Sequence, residues 1–300
     1  MGTSRRSLSP VPPWASRIVH GPEAKSVFNR SMEWVAGWSP AVGYLLRTSL
    51  REAAFPFRPE TRDAYPKLRD DIPAYAGLFE YATENFEKIV SRFPGEIRWP
   101  KARVYNGFFE TIDAELYYST IRFFGPKRIV EVGAGNSTWF ARDALRTNGS
   151  GEIWAVDPSP RLPLPRDCIH LPRRVQDLDV SLFHELRAKD ILFIDSSHSQ
   201  DEARYLTERV YPILRPGVLI HHHDVVFPFL GYGSFIPDWA NLGEQEVVLG
   251  FLVDHQDSFE VLTSSAFAWY ENPEIVLRLI PSKSLKPLTA GGSIWIRKKA

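Results

Sequence analysis

Two short stretches of the chain gather side chains able to move protons or hold a cation. One runs Ile194-Asp195-Ser196-Ser197-His198, the other His221-His222-His223-Asp224. Each follows an apolar run, so Asp195, His198, His223 and Asp224 are expected at the ends of two strands, close together. Carboxylates and imidazoles in one pocket suit general-base work or a divalent cation. His198, His223 and Asp195 are the catalytic candidates; Asp195, Asp224 and His223 are the metal-ligand candidates. For His198 a plain surface position before a helix weighs equally. His221 and His222 are expected to point to opposite faces of their strand, because alternation turns only one set of side chains to a given side.

A third stretch, Arg128 to Trp139, is an apolar run ending at Glu131-Val132, followed by Gly133-Ala134-Gly135 and Asn136-Ser137-Thr138. Its pattern predicts a strand, a glycine turn and a helix start. Gly133 and Gly135 are expected to take positive φ and admit a ligand closely, with Asn136, Ser137 and Thr138 supplying caps. A second apolar run closes on Asp157, at about the ~20-residue distance where nucleotide-binding folds place a ribose-binding carboxylate. Capping of the turn before Pro158 is the alternative for Asp157, and a structural acid bonded to loop amides the alternative for Glu131. A dinucleotide fingerprint would want a third glycine where Thr138 stands and does not need Glu131, so a nicotinamide cofactor is disfavoured.

The pattern Glu131-x-Gly133-x-Gly135 with a strand-terminal Asp157 resembles the first two motifs of class I S-adenosylmethionine-dependent methyltransferases. The resemblance continues through Gln176-Asp177, the Asp195 and Asp224 stretches and the closing Gly291 to Lys299, covers roughly residues 106–299, and is similar to the methyltransferase 24 type. It implies S-adenosylmethionine as cofactor, held by Glu131, Gly133, Gly135, Ser137, Asp157, Gln176, Asp177 and Asp195, with Gln176 and Asp177 at the adenine. It implies methyl transfer; the density of possible bases points to an oxygen of a small-molecule or saccharide-like acceptor. Asp113 reads most simply as a helix N-terminal acid favoured by the dipole, and the resemblance places it near the donor pocket. Catechol-type relatives hold magnesium with an acid after the fourth strand and an Asp-Asn pair after the fifth. Here the pair is His223-Asp224, so a magnesium or manganese ion stands beside a metal-free His–Asp base as alternatives. Rival functions are a nucleotide-dependent oxidoreductase or epimerase on the same sheet, and a catalytically silent S-adenosylmethionine-binding accessory protein.

The elements that must position these residues follow from periodicity. After residue 100, apolar runs alternate with helical segments, the pattern of an α/β doubly wound, Rossmann-like parallel sheet. Seven strands are expected: Arg128 to Val132, Gly151 to Asp157, Cys168 to Leu171, Asp190 to Asp195, Gly217 to His222, Phe259 to Ala266 and Ser293 to Arg297. Helices are expected to begin near Asp113, Ser137, Ser181, Gln200 and Leu242. Asp157, Asp195 and Asp224 then converge on the carboxyl rim, where such sheets bind ligands. Residues 1–100 are expected to form a tail and a mainly helical, lid-like extension, with residues 101–300 the donor-binding domain. Within the extension, Leu78, Tyr81, Phe86, Ile89 and Val90 recur at helical spacing and predict a helix packed by one face.

Composition bounds the rest. Of 300 residues 44% are hydrophobic, enough for a substantial core, and 36 basic side chains balance 36 acidic ones. A net charge of zero supplies no global field toward nucleic acid or an anionic membrane. The single Cys168 excludes an intramolecular disulfide and a multi-cysteine zinc site. No run approaches the roughly 20 apolar residues of a membrane span, and the N-terminus lacks the pattern of a secretory signal. The cytoplasm is the expected location. The expected partner is a small-molecule acceptor, with self-association into a homo-oligomer left open and nucleic acid not expected.

Overall fold

The computed structural model describes residues 79–92, 106, 108–225, 242–285 and 291–299, all within one unit, Phe57–Ala300. The tail and the expected lid over residues 1–100 lie outside the described residues, apart from 79–92. Among the described residues no helix is long and apolar enough to cross a membrane.

The sheet forms from β1 (Arg128–Val132), β2 (Glu152–Val156), β3 (Ile169–Leu171), β4 (Ile191–Ile194), β5 (Leu219–His222), β6 (Phe259–Ser264) and β7 (Ile294–Lys298). Their order is β3-β2-β1-β4-β5-β7-β6. β4 and β5 are buried along their whole length, as strands covered on both faces must be; β4 reads as an unbroken apolar run, whereas β5 ends in His221 and His222. β1 to β5 pair in parallel, whereas β7 runs antiparallel to both β5 and β6. The doubly wound parallel sheet expected from alternation is present over β3 to β5 and becomes mixed at β7 and β6, because an apolar run does not encode strand direction.

Alternate residues of each strand enter different cores. Ile129, Phe193 and Trp295 join one cluster with Phe109 and Tyr117; Val130, Leu192, Ile194, Ile220 and Ile296 join the other. Helices α1 (Ala82–Val90), α2 (Asp113–Phe124), α3 (Asn136–Asn148), α4 (Ser181–His184), α5 (Gln200–Tyr205) and α6 (Leu242–Asp254) include all five expected starts to within one residue. Two further helices, α7 (Ser265–Glu271) and α8 (Pro273–Leu279), were not expected. The apolar run from Phe259 continues past its strand because Ser264 accepts from the Phe267 amide at 3.3 Å and caps α7.

α1 packs on the sheet edge: Asn85 donates to the Leu262 carbonyl at 2.9 Å and Thr263 donates to the Ala82 carbonyl at 2.7 Å. Phe86, Ile89 and Val90 are buried as the periodicity predicts. Tyr81 departs from it and is 58% exposed. The helix begins only at Ala82, so Tyr81 is its flanking residue and escapes the helical phase. Leu78 lies outside the described residues.

Candidate active site

The glycine turn between β1 and α3 is held from inside. Gly133 takes φ +86, and its amide donates to the Val156 carbonyl at 2.9 Å. Its close neighbour is the end of β4, since a Cβ placed there would stand 1.8 Å from the Asp195 carbonyl oxygen. Gly135 differs from expectation. Its φ of 171 is extended backbone, and a Cβ there would meet nothing within 4 Å. Its amide donates to Thr138 Oγ1 at 3.0 Å, closing the first turn of α3. Asn136 and Ser137 are already helical, so of the three expected caps Thr138 closes that turn.

Glu131 is fully buried under this turn. Tyr117 donates to its Oε1 at 2.9 Å and Thr138 to its Oε2 at 2.5 Å. Its carboxylate thus meets hydroxyls where loop amides were the expected alternative. Burial pushes Glu131 up to about 7 despite the hydrogen bonds from Thr138 and Tyr117. Ser137 is buried at the same turn.

Asp157 ends β2 facing the turn: Oδ2 accepts from the Ala134 amide at 3.0 Å, and Oδ1 accepts from the Ser159 amide at 2.7 Å. One carboxylate therefore orders both loops on this side of the rim. Beyond β3, Gln176 donates to Glu202 Oε2 at 3.3 Å, and its Oε1 is a buried acceptor without a hydrogen-bond partner. Asp177 is exposed and pairs with Arg174 at 3.0 Å. Glu202, on α5, also accepts from Ser196 Oγ and from the Ser197 amide at 3.4 Å, tying the loop after β4 to Gln176. It lies seven residues beyond Asp195, and nothing in its sequence context marks it apart from an ordinary first-turn helix acid.

The second constellation assembles at the ends of β4 and β5. His198 Nε2 lies 3.5 Å from Asp195 Oδ1 and 3.3 Å from Asp224 Oδ2. His223 Nδ1 lies 3.2 Å from Asp224 Oδ1 and 3.8 Å from Asp195 Oδ1, and its Nε2 is 3.5 Å from Asp113 Oδ2. These are ion-pair distances; neither ring nitrogen of His223 is in hydrogen-bond geometry. His198 and Asp224 both adopt positive φ, +53 and +56, conformations that a non-glycine residue keeps only where its surroundings enforce them.

Asp113 is drawn into the cluster in a way its sequence context hides. It begins α2 as expected, yet it is buried and accepts from the amides of Gly292 and Ser293 at 3.0 and 3.1 Å and from Ser293 Oγ. It thereby clips the start of α2 to the entry of β7. His221 and His222 point to opposite faces, as alternation requires. His221 stacks on Phe193 with centroids 4.2 Å apart, whereas His222 binds Tyr211 and Glu244.

Charge follows geometry. Burial would lower His198, but the Glu244 hydrogen bond and the charges of Asp224, Glu244 and Asp195 outweigh it and bring it to about 9. His223 is likewise raised well above its ordinary value, because Asp195 and Asp224 overcome burial. Burial raises Asp195, aided by Asp224 and opposed by His223. Asp113 falls below the usual carboxylate range, since the facing His223 and the Ser265 and Ser293 hydroxyls outweigh burial. His221 falls well below its ordinary value by burial among neighbouring histidines.

Residues 130–225 match the family model of a methyltransferase domain. Over these residues the chain is similar to that methyltransferase family. The match spans β1 to the end of β5, so it contains the glycine turn, Asp157, Asp195, His198 and Asp224. An uncharacterised protein of Archaeoglobus fulgidus is 36% identical over 89 residues, which cover 27% of this chain and 40% of that one. The chain thus spans about two fifths of the length of that curated relative. Among solved structures, an SAH-bound methyltransferase of Podospora anserina is similar at 17% identity and TM-score 0.43, covering 82% of this chain and 98% of its own. The O-methyltransferase TomG of Streptomyces achromogenes, solved with SAM, is similar at 16% identity and TM-score 0.42, covering 73% and 99%. Among the described residues, Asp195, His198 and Asp224 are donors that could hold a cation, one ligand atom from each lying within 4.8 Å of the others. His198 stands where the sequence pointed to His223, which sits beside Asp195 and Asp224 but turns its second nitrogen to Asp113.

Proposed function

We propose that the protein transfers the methyl group of S-adenosylmethionine to an oxygen of a small-molecule or saccharide-like acceptor. The observation that carries this reading is the placement of His198 Nε2 between Asp195 and Asp224, on the strand ends next to the glycine turn. The donor belongs at that turn. Asp157 is the acceptor for its ribose hydroxyls, and the free Oε1 of Gln176 suits an exocyclic amine such as that of adenine. The open space at Gly135 leaves room for the rest of the donor, while Gly133, Glu131 and Ser137 shape the turn behind it. Asp177 serves at the outer edge, where Arg174 holds it.

The reaction is an in-line displacement at a carbon bonded to a sulfonium. The protein has to align the acceptor, take its proton and exclude water. His198, with Asp195 and His223 beside it, can take that proton. An amine acceptor would be nucleophilic without help, so a concentration of bases favours oxygen. With His198 at about 9, its neutral form is a minority near pH 7, and the rate should rise as that proton is lost.

Two carboxylates and one imidazole within 4.8 Å also fit a divalent cation. A cation held by Asp195, Asp224 and His198 would neutralise the two acids and acidify an acceptor hydroxyl. Imidazole moves the preference from magnesium toward manganese, iron or zinc.

The test is mass spectrometry of the purified protein for S-adenosylmethionine or its demethylated product, with calorimetry against S-adenosylmethionine and NADH. Methyl-donor binding without NADH binding is expected. NADH binding alone would replace the reading with the oxidoreductase one.

A further inference from the structure

Behind His198 lies a buried chain of polar groups that the proposed chemistry does not use. Glu244, in the first turn of α6, is 2% exposed. Its two oxygens are divided: Oε2 accepts from His198 Nδ1 at 3.0 Å, and Oε1 accepts from His222 Nε2 at 2.7 Å. The other nitrogen of His222 meets Tyr211 Oη at 2.8 Å, and neither His222 nor Tyr211 is accessible to solvent. Tyr211 follows directly on a single π-helical turn, Leu206–Val210, at the end of α5. Such a turn is rare and is found frequently at functional sites.

We infer that Glu244 is the positioning residue of His198: it holds the ring by Nδ1, so that Nε2 is the nitrogen presented to Asp195, Asp224 and the acceptor. A carboxylate fully engaged by two imidazoles cannot rotate without breaking a buried hydrogen bond, so the ring it holds cannot flip. Fixing one nitrogen decides what the other can do, the logic by which carboxylates orient catalytic and metal-ligating histidines generally. The positive φ of His198 needs such an anchor, because its backbone alone would relax. The role in catalysis rests on the methyl-transfer reading; the orientation of the ring does not.

The test is proton and nitrogen NMR of the full chain labelled in its histidines, with His198→Gln assigning the ring signals. Wild type should show a slowly exchanging, downfield Nδ1–H resonance of His198. Glu244→Gln should lose that resonance and shift the His198 Nε2 signal, while circular dichroism shows a folded chain. A Glu244 that merely packed α6 would change the unfolding midpoint and leave both His198 signals in place, and that outcome overturns the inference. Should Glu244→Gln fail to fold, wild type decides: the inference falls if no slowly exchanging resonance disappears with His198→Gln. Calorimetry with S-adenosylhomocysteine on the same wild-type sample separates the two readings, since failure to bind it sinks the methyl-transfer proposal and leaves the ring assignment untouched.

Discussion

The Cα of Gly133 sits so close to the carbonyl of Asp195 that a methyl group there would stand 1.8 Å from the oxygen. The turn after β1 and the end of β4 are thereby locked into one wall, and the residue that shapes the glycine turn also fixes where Asp195 begins the acid cluster.

Gly133→Ala should therefore damage the fold. The positive φ and a clash with backbone that cannot yield together cost on the order of 2–4 kcal/mol. Gly135→Ala meets empty space and should leave the unfolding midpoint within a degree or two while weakening S-adenosylmethionine binding. Thermal unfolding and calorimetry on both variants check this; equal stability of Gly133→Ala and wild type would refute the close-packing account.

Asp157→Ala should weaken S-adenosylmethionine binding tenfold or more, because a charge-assisted hydrogen bond is worth ~1.5–3 kcal/mol and the change also releases the Ala134 amide. Titration calorimetry reads this directly. Unchanged affinity would leave Asp157 as a turn cap only.

Glu131 predicts a pH dependence of stability. Its folded value is raised from 4.5 to about 7, so the folded state binds this proton more tightly than the unfolded one. Its stabilising contribution is complete below pH ~4.5 and is lost as pH rises through about 7, by on the order of 3 kcal/mol. Glu131→Gln cannot ionise and should not lose it. Denaturant unfolding of the two proteins from pH 4 to 8 should show wild type falling relative to the variant; parallel curves would mean that Glu131 stays near its ordinary value.

Asp224→Asn should lower Mn2+ affinity by a factor of ten or more if Asp195, His198 and Asp224 share the ion, since one of the two carboxylate charges among the three ligands is lost. Electron paramagnetic resonance of free Mn2+ measures it. Should chelated enzyme keep full methyl transfer and wild type take up no Mn2+, His198 with its aspartates is the base and the cation is not part of the site.

Much of this protein is written locally. The apolar runs of β1, β4 and β5 and the starts of α2, α4, α5 and α6 follow from periods that neighbouring residues set among themselves. Gly133 and Asp157 stand out because a turn at a strand end demands special residue types. Asp195, His198 and Asp224 are legible for the same reason, lying directly after two strands.

Other features depend on which distant segments meet. The antiparallel direction of β7 is set by its pairing with β5 and β6, which no residue of β7 encodes alone. Asp113 looks like a dipole acid until the entry of β7 supplies the amides it accepts from, about 180 residues away. That His198 joins Asp195 and Asp224 as a group able to hold an ion is visible only in the folded chain, where His198 and Asp224 both take positive φ. Glu244 has no motif; 46 residues separate it from His198, and only the packing of α6 against α5 brings its carboxylate to the ring. The sequence alone determines which groups stand at the strand ends, because strands and turns are short-range physics. Which nitrogen of His198 faces the pocket is a tertiary matter, because a buried carboxylate is placed only by the packing that buries it.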